Sequence, residues 1–147
     1  MLRVTMAGAF AALALAGSAA AQTYVARNFD KGPVTLVQEW RIAPGKMNAF
    51  MADFATNQRK GLEIGKAKDG ILNYGAATLI GRREGEPNLI TTITFKNLAA
   101  YDRSFDRADA TAVEVYGSLE KAAAAGAERG QMATQIASRL YQGLVIK

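Results

Sequence analysis

Three segments of the chain are rich in apolar residues with a two-residue alternation, and they predict β-strands. They cover residues 34–42, 71–80 and 89–95. Their β-branched and aromatic side chains suit a pleated, half-buried surface. Residues 81–88, between the second and third segments, are polar and contain Gly and Pro, which is typical of a hairpin loop.

Helical periodicity follows the first and third strands. Apolar side chains recur every three or four positions over residues 46–62, which predicts an amphipathic helix. After the third strand, Asn97 is placed to cap a short helix that ends near Phe105, because an Asn side chain accepts a hydrogen bond from the first turn. A longer helix is predicted to begin at Asp109.

The C-terminal region is predicted to be mainly helical. Met132, Ile136 and Leu140 follow at four-residue spacing, so residues 131–140 are predicted to form a helix. The apolar residues 144–146 predict a short fourth strand. The resulting order, βαββα(β), predicts an α+β domain of the ferredoxin-like type. Its sheet would be antiparallel with helices on one face, and its C-terminal helical region would be extended.

One face of the predicted sheet carries the residues best suited to bind a small molecule. Alternation places Gln38 and Trp40 on the same face of the first strand. It places Tyr74 on one face of the second strand and Phe95 on one face of the third. Such a face is mostly apolar with a few polar groups, as ligand pockets are. We expect Trp40 to line a cavity between the sheet and a partner copy. The alternative is that Trp40 and Phe95 only fill the core or an interface.

The opposite face of the first strand carries charge. Glu39 and Arg41 are predicted to form an ion pair there, and Arg41 is also a candidate anchor for an acidic ligand. Asp102, Asp106 and Asp109 form the closest acidic cluster of the sequence. We interpret this cluster as a solvated helix start rather than as a metal site.

Catalytic residues cannot be assigned from the sequence. It contains no His and no Cys, which removes the usual zinc ligands, a Cys nucleophile and a Ser-His-Asp triad. No metal site and no cofactor are predicted. With no Cys, disulfide bonds are excluded, and stability must come from packing.

Charge and exposed surface indicate the expected partners. The chain has 18 basic and 13 acidic residues, for a net charge of +5. The basic residues are scattered without interleaved aromatic residues, so nucleic acid is not an expected partner. A sheet with helices on one face leaves its other face open, and an apolar open face is rarely tolerated by a monomer. We therefore expect a two-fold homodimer.

The N-terminal segment predicts export to the periplasm or the medium. Arg3 is the only charged residue within residues 1–21, an apolar run follows it, and three alanines close the segment. This is the pattern of a cleaved signal peptide. A transmembrane anchor is the alternative, but the apolar run is shorter than the ~20 residues of a membrane-spanning helix. The predicted organisation is a signal peptide at 1–21, a polar lead-in at 22–33 and one domain at 34–147, with no membrane anchor after cleavage.

Two segments resemble the dimeric α+β barrel superfamily, which includes antibiotic-biosynthesis-monooxygenase-like and NIPSNAP-like proteins. Residues 40–54 (WRIAPGKMNAFMADF) resemble the strand, Pro-Gly turn and helix that open those domains. Residues 94–105 (TFKNLAAYDRSF) resemble their third strand as it enters the second helix. The resemblance covers residues 34–107. Many members have a His near the start of the second helix, where this chain has Arg103 or Ser104.

Two functions remain open from the sequence and this resemblance. The first is a non-catalytic exported homodimer that binds a small apolar or aromatic ligand or has a structural role. The second is a cofactor-independent oxygenase or isomerase that acts on a small aromatic or enolisable substrate. The resemblance implies the second because some relatives use Trp, Asn and Tyr for such chemistry, and Trp40, Asn73 and Tyr74 are present here. The lack of His argues against the haem-dependent chemistry of that superfamily.

The mature protein is predicted to begin at Gln22, because Ala19 and Ala21 have the small side chains that signal peptidase accepts. N-terminal sequencing of the exported protein should return Gln22. A sequence that begins at Met1 would contradict the predicted cleavage.

Overall fold

A four-stranded antiparallel sheet forms the centre of the computed structural model, which describes residues 28–80, 82–102 and 105–147. Its strands are β1 (Phe29–Ile42), β2 (Ile71–Thr78), β3 (Leu89–Phe95) and β4 (Ala133–Ile146). Their order across the sheet is β2-β3-β1-β4, and each neighbouring pair is antiparallel. This topology confirms the predicted α+β, ferredoxin-like arrangement. The predicted signal peptide lies outside the described residues.

The helices occur in the connections between the strands. The chain between β1 and β2 forms α1 (Met47–Asp53), a π-helical turn (Phe54–Gln58) and α2 (Arg59–Lys68). The chain between β3 and β4 forms α3 (Leu98–Tyr101), α4 (Phe105–Tyr116) and α5 (Leu119–Met132). The helix predicted over residues 46–62 is thus confirmed, and it continues to Lys68. Among the helices described, none has the length and hydropathy that crossing a membrane requires.

Polar residues and one glycine set the helix boundaries after β3. The Asn97 side chain accepts a hydrogen bond from a backbone N–H of α3 at 2.9 Å, which confirms the predicted cap. The next helix already includes Phe105, so its predicted start at Asp109 is wrong. Gly117, with a φ of 86°, turns the chain between α4 and α5. The Ser118 hydroxyl then caps α5.

The C-terminal region forms a strand where the sequence predicts a helix over residues 131–140. The four-residue spacing of Met132, Ile136 and Leu140 is also a multiple of the two-residue repeat of a strand, so one pattern fits both structures. β4 pairs with β1 over nearly its whole length, and this ladder provides the backbone hydrogen bonds of the region. The helical region therefore ends at Met132, and the fourth strand is much longer than the predicted 144–146.

β1 begins at Phe29, inside the segment that the sequence predicts as a polar lead-in. The cause is again β4, because Phe29 lies opposite Ile146 near the end of the ladder. Residues 30–33 include charged and small side chains that are weak strand formers by themselves. β4 pairs with Asp30 and Lys31 and, after a shift in register, again from Val34, so β1 starts before the predicted Val34.

The buried core lies between one face of the sheet and the helices. Ile42, Leu89 and Ala133 from the sheet pack against Phe50 from α1. The side chain of Leu89 is almost fully buried, with 1% exposed. Trp40 packs against this cluster, which places the predicted Gln38–Trp40 face of β1 beneath the helices. The sequence therefore predicted correctly which residues of β1 share a face.

The other face of the sheet carries no described helix, and polar side chains occupy part of it. The hydroxyl groups of Thr35 and Thr94 are 3.1 Å apart on neighbouring strands. Glu39 forms an ion pair with Arg139 of β4. The open face is therefore mixed in polarity rather than the apolar surface that the sequence predicts. The predicted pair of Glu39 with Arg41 is also wrong, because the long β4 places Arg139 beside Glu39.

Candidate functional site

A cavity of about 440 Å³ lies between the sheet and the helices. Its sheet side comes from β1, β3 and β4, and its helix side comes from α1, the π-helical turn, α2 and α5. The volume falls in the range of small-molecule pockets. π-Helical turns are rare and occur frequently at functional sites. Here the turn contributes Phe54 and Gln58 to the cavity wall.

Aromatic and aliphatic side chains form one wall of this cavity. Trp40 and Phe50 lie with their ring centroids 5.9 Å apart and their planes tilted by 50°. Phe54, Leu62 and Ile93 continue the apolar wall. Flat apolar ring surfaces of this kind suit the face of an aromatic ligand.

The end of β1 is held in place next to Trp40 by the side chain of Asn88. The Asn88 Oδ1 atom accepts a hydrogen bond from the Ile42 backbone N–H at 2.8 Å. The Asn88 Nδ2 atom donates to the Ile42 backbone oxygen at 2.9 Å. The Asn88 backbone N–H donates to the Trp40 backbone oxygen at 2.9 Å. These three bonds position the strand that carries Trp40.

A short chain of hydrogen bonds forms the floor of the cavity. The indole Nε1–H of Trp40 donates to the hydroxyl oxygen of Thr91 at 2.9 Å. The Thr91 hydroxyl donates in turn to the amide oxygen of Gln38 at 3.5 Å. Trp40 therefore has the polar neighbour that a buried indole N–H requires. Thr91 is itself buried, and Trp40 and Gln38 are half-buried.

Arg129 of α5 is the charged group of the cavity wall. Its Nη1 donates to Asp53 Oδ2 at 3.1 Å and to the Tyr116 hydroxyl at 3.0 Å. With the Gln58 amide turned so that its oxygen faces Arg129, that oxygen accepts from Nε at 2.9 Å. The Asp53–Arg129 pair is mostly shielded from water, with 16% and 22% of the two side chains exposed. These contacts hold the guanidinium in one place, with Asp53 as its counter-charge.

A second cavity, of about 370 Å³, adjoins the first. Its walls include Phe95 and Tyr101, whose rings meet edge to face with centroids 5.5 Å apart. Four residues line both cavities and form part of the boundary between them. They are Gln58, Leu62, Ile93 and Arg129.

The structure brings two of the five predicted site residues into the first cavity. Gln38 and Trp40 line it, whereas Phe95 lines the second cavity. The expected position between the sheet and a partner copy is wrong, because the cavity lies between the sheet and the helices of the same chain. Arg41 lies on the open face, where its Nη1 is 3.4 Å from the backbone oxygen of Gly85.

Tyr74 does not line either cavity. Its hydroxyl donates a hydrogen bond to the Glu63 carboxylate on α2, and this bond raises the pKa of Tyr74 above its ordinary value. Asn73 projects on the opposite face of β2, where its amide oxygen accepts from the Tyr74 backbone N–H. The set of Trp40, Asn73 and Tyr74 suggested by the resemblance is therefore not assembled around the cavity.

Sequence reasoning missed Arg129, although one signal for it was present. Half-buried positions on α5 recur at Ala122, Ala125, Arg129 and Met132, which is helical spacing. A charged residue on the buried stripe of an alanine-rich helix is unusual. Its partner Asp53 is distant in the sequence, and only the fold brings the two together.

No protein-family model matches the chain, and no curated protein matches it in sequence. Solved structures do match it. HapK from Hahella chejuensis has a TM-score of 0.51 at 12% identity, over 75% of this chain and 91% of HapK. A dimeric ferredoxin-like protein from an uncultured marine organism has a TM-score of 0.49 at 13% identity, over 80% of this chain and 98% of that one. A candidate antibiotic biosynthesis monooxygenase from Chloroflexus aurantiacus has a TM-score of 0.43 at 16% identity, over 76% and 92%.

The chain has a ferredoxin-like α+β fold, and HapK shares it over most of its length. At the level of the fold, this agrees with the resemblance seen in residues 40–54 and 94–105. Identities this low establish the fold, and one fold supports many functions, so the function of this chain has to be argued from its own site.

The shielded pair between Asp53 and Arg129 is predicted to stabilise the protein and to fix the cavity wall. Asp53→Asn should lower the free energy of unfolding by about 1–3 kcal/mol, because it leaves the guanidinium without its counter-charge. Chemical denaturation followed by circular dichroism measures this change.

The matched control removes a carboxylate from an exposed pair. Lys68 Nζ and Glu114 Oε2 are 2.9 Å apart, with 59% and 49% of the two side chains exposed. Glu114→Gln should change the stability by less than about 1 kcal/mol. Equal effects of the two substitutions would show that the Asp53–Arg129 pair has no special structural role.

Proposed function

We propose that the protein is an exported homodimer that binds a small aromatic or apolar molecule in the cavity between its sheet and its helices. The observation that carries this proposal is the cavity of about 440 Å³ with the Trp40, Phe50 and Phe54 rings in its wall. An apolar cavity with a few fixed polar groups is the usual form of a small-molecule site. Export rests on the pattern of residues 1–21.

The polar lining of the cavity favours binding over proton-transfer catalysis. Among the described residues that line it, Arg129 is the only ionisable side chain. A guanidinium stays protonated in proteins and cannot act as a general base. The oxygenase or isomerase alternative would use Asn73 and Tyr74 together with Trp40, and these two lie away from the cavity. The arrangement therefore supports a ligand-binding protein better than an enzyme that abstracts a proton.

Two surfaces support association with a second copy. The open face of the sheet lacks a layer of described helices, and a second sheet would cover it. At the end of the β1–β4 ladder, Leu144, Val145 and Ile146 are 55%, 54% and 75% exposed. Exposed strand edges with apolar side chains are usually covered or paired. A two-fold dimer would cover both surfaces by the same contact on each copy.

Native mass spectrometry of protein purified from its own cellular compartment tests both parts of this proposal. We expect a species of twice the mass of the mature chain that carries additional mass from bound small molecules. A monomer would contradict the homodimer. A dimer without any bound molecule, in gentle conditions, would contradict the ligand-binding function.

A cavity-filling variant shows whether the bound molecule occupies this cavity. Gly126 lines it, and a Cβ atom at this position would have only Arg129 Nη2 within 4 Å, at 3.9 Å. A side chain can therefore start at this position, and Gly126→Leu should occupy part of the cavity and remove the additional mass. Ala124→Leu, on an exposed position of the same helix, is the control and should retain it.

A further inference from the structure

Gln38 projects from a fixed strand at the floor of the cavity. Its strand, β1, is hydrogen-bonded on both sides, and Gln38 lies opposite Thr91 on β3 and Ser138 on β4. The amide oxygen of Gln38 accepts from the Thr91 hydroxyl. This hydroxyl already accepts from Trp40 Nε1, so its own proton is available to Gln38. The hydrogen-bond chain therefore turns the amide oxygen of Gln38 toward Thr91.

With the oxygen turned toward Thr91, the amide nitrogen of Gln38 is available to donate a hydrogen bond to a molecule in the cavity. None of the described residues accepts a hydrogen bond from Gln38 Nε2, although Gln38 is half-buried and lines the cavity. Every fully buried side-chain nitrogen or oxygen of the described residues has a hydrogen-bond partner. Because Gln38 Nε2 has no partner among them, this nitrogen must be accessible from the cavity. An N–H group in an apolar cavity favours a ligand that offers an acceptor, because an unmet donor loses its hydrogen bond to water.

The neighbouring polar groups increase this preference for an acceptor. The Gln58 amide oxygen is used by Arg129, and the Asp53 carboxylate is used by the same guanidinium. The Thr91 oxygen is used by Trp40. The Gln58, Asp53 and Thr91 oxygens are thus used within the protein, whereas the amide nitrogen of Gln38 has no acceptor among the described residues.

We propose that Gln38 selects ligands whose aromatic or apolar body carries a carbonyl-type oxygen, which accepts a hydrogen bond from Gln38 Nε2. This inference rests on the proposed binding function and adds the chemical class of the ligand. A ketone and a carboxylate share this acceptor chemistry. The neutral Gln38 amide receives either oxygen, whereas the guanidinium of Arg129 adds attraction for the carboxylate alone.

Two probes that differ in one atom group test the inference. 2-Acetylnaphthalene has a ketone oxygen where 2-isopropenylnaphthalene has a CH2 group, so their shapes match. Isothermal titration calorimetry with the purified protein should give a dissociation constant about five- to tenfold lower for the ketone. 2-Naphthoate, as a third probe, distinguishes the source of the oxygen. Binding of the ketone and the naphthoate with similar strength indicates a neutral carbonyl site, and a large preference for the naphthoate would assign the selection to Arg129 instead of Gln38.

Gln38→Met keeps the length of the side chain and removes the amide donor. It should bind both neutral probes with the affinity that the wild type has for 2-isopropenylnaphthalene. Gln131→Met, which changes an exposed glutamine of α5 that lines neither cavity, is the matched control and should keep the preference for the ketone.

The outcomes separate this inference from the function on which it rests. Equal affinity of the wild type for the two neutral probes overturns the role of Gln38 and leaves ligand binding intact. The same conclusion follows if Gln38→Met retains the preference or if Gln131→Met removes it. Failure of the wild type to bind any of the three probes overturns the aromatic-binding function itself. The wild-type comparison does not depend on whether a variant folds.

Discussion

The ladder between β1 and β4 is the constraint on which the rest of the structure depends. It runs from the pair Ile42–Ala133 to the pair Phe29–Ile146 and places β1 in the middle of the sheet. Because β1 is bonded on both sides, Gln38 and Trp40 project from a rigid strand toward the helices. The same ladder fixes the end of α5, since β4 follows Met132 directly. Arg129, near that end, is thereby held over the cavity.

Two hydrogen-bond networks lie within the otherwise apolar lining of the cavity. Along the floor, Trp40 donates a hydrogen bond to Thr91, and Thr91 donates one to Gln38. At the wall, Arg129 donates to Asp53, Gln58 and Tyr116. Buried polar networks of this kind fix side-chain positions, because breaking one bond exposes an unmet partner in a low-dielectric setting. These polar side chains are therefore fixed before a ligand binds, which lowers the conformational entropy lost on binding.

The strands around the site could be predicted from sequence because their alternation is strong and local. Gln38 and Trp40 were placed correctly on one face by the two-residue period alone. The C-terminal strand could not be predicted in this way, since the four-residue spacing of Met132, Ile136 and Leu140 fits a helix and a strand equally. Pairing with β1 decides between them, and pairing is a long-range interaction. The contact of Asp53 with Arg129 depends on the same topology, so it could not be predicted from the sequence either.

The central claim is that a ligand binds against Trp40 in the cavity between the sheet and the helices. Trp40 is the only tryptophan of the sequence, so replacing it with 5-fluorotryptophan gives one 19F NMR resonance from the cavity floor. Titration with 2-acetylnaphthalene should shift this resonance to saturation in the wild type and in Ala124→Leu, and it should leave the resonance of Gly126→Leu unchanged. A resonance that stays fixed while calorimetry shows binding would place the ligand elsewhere and contradict the account.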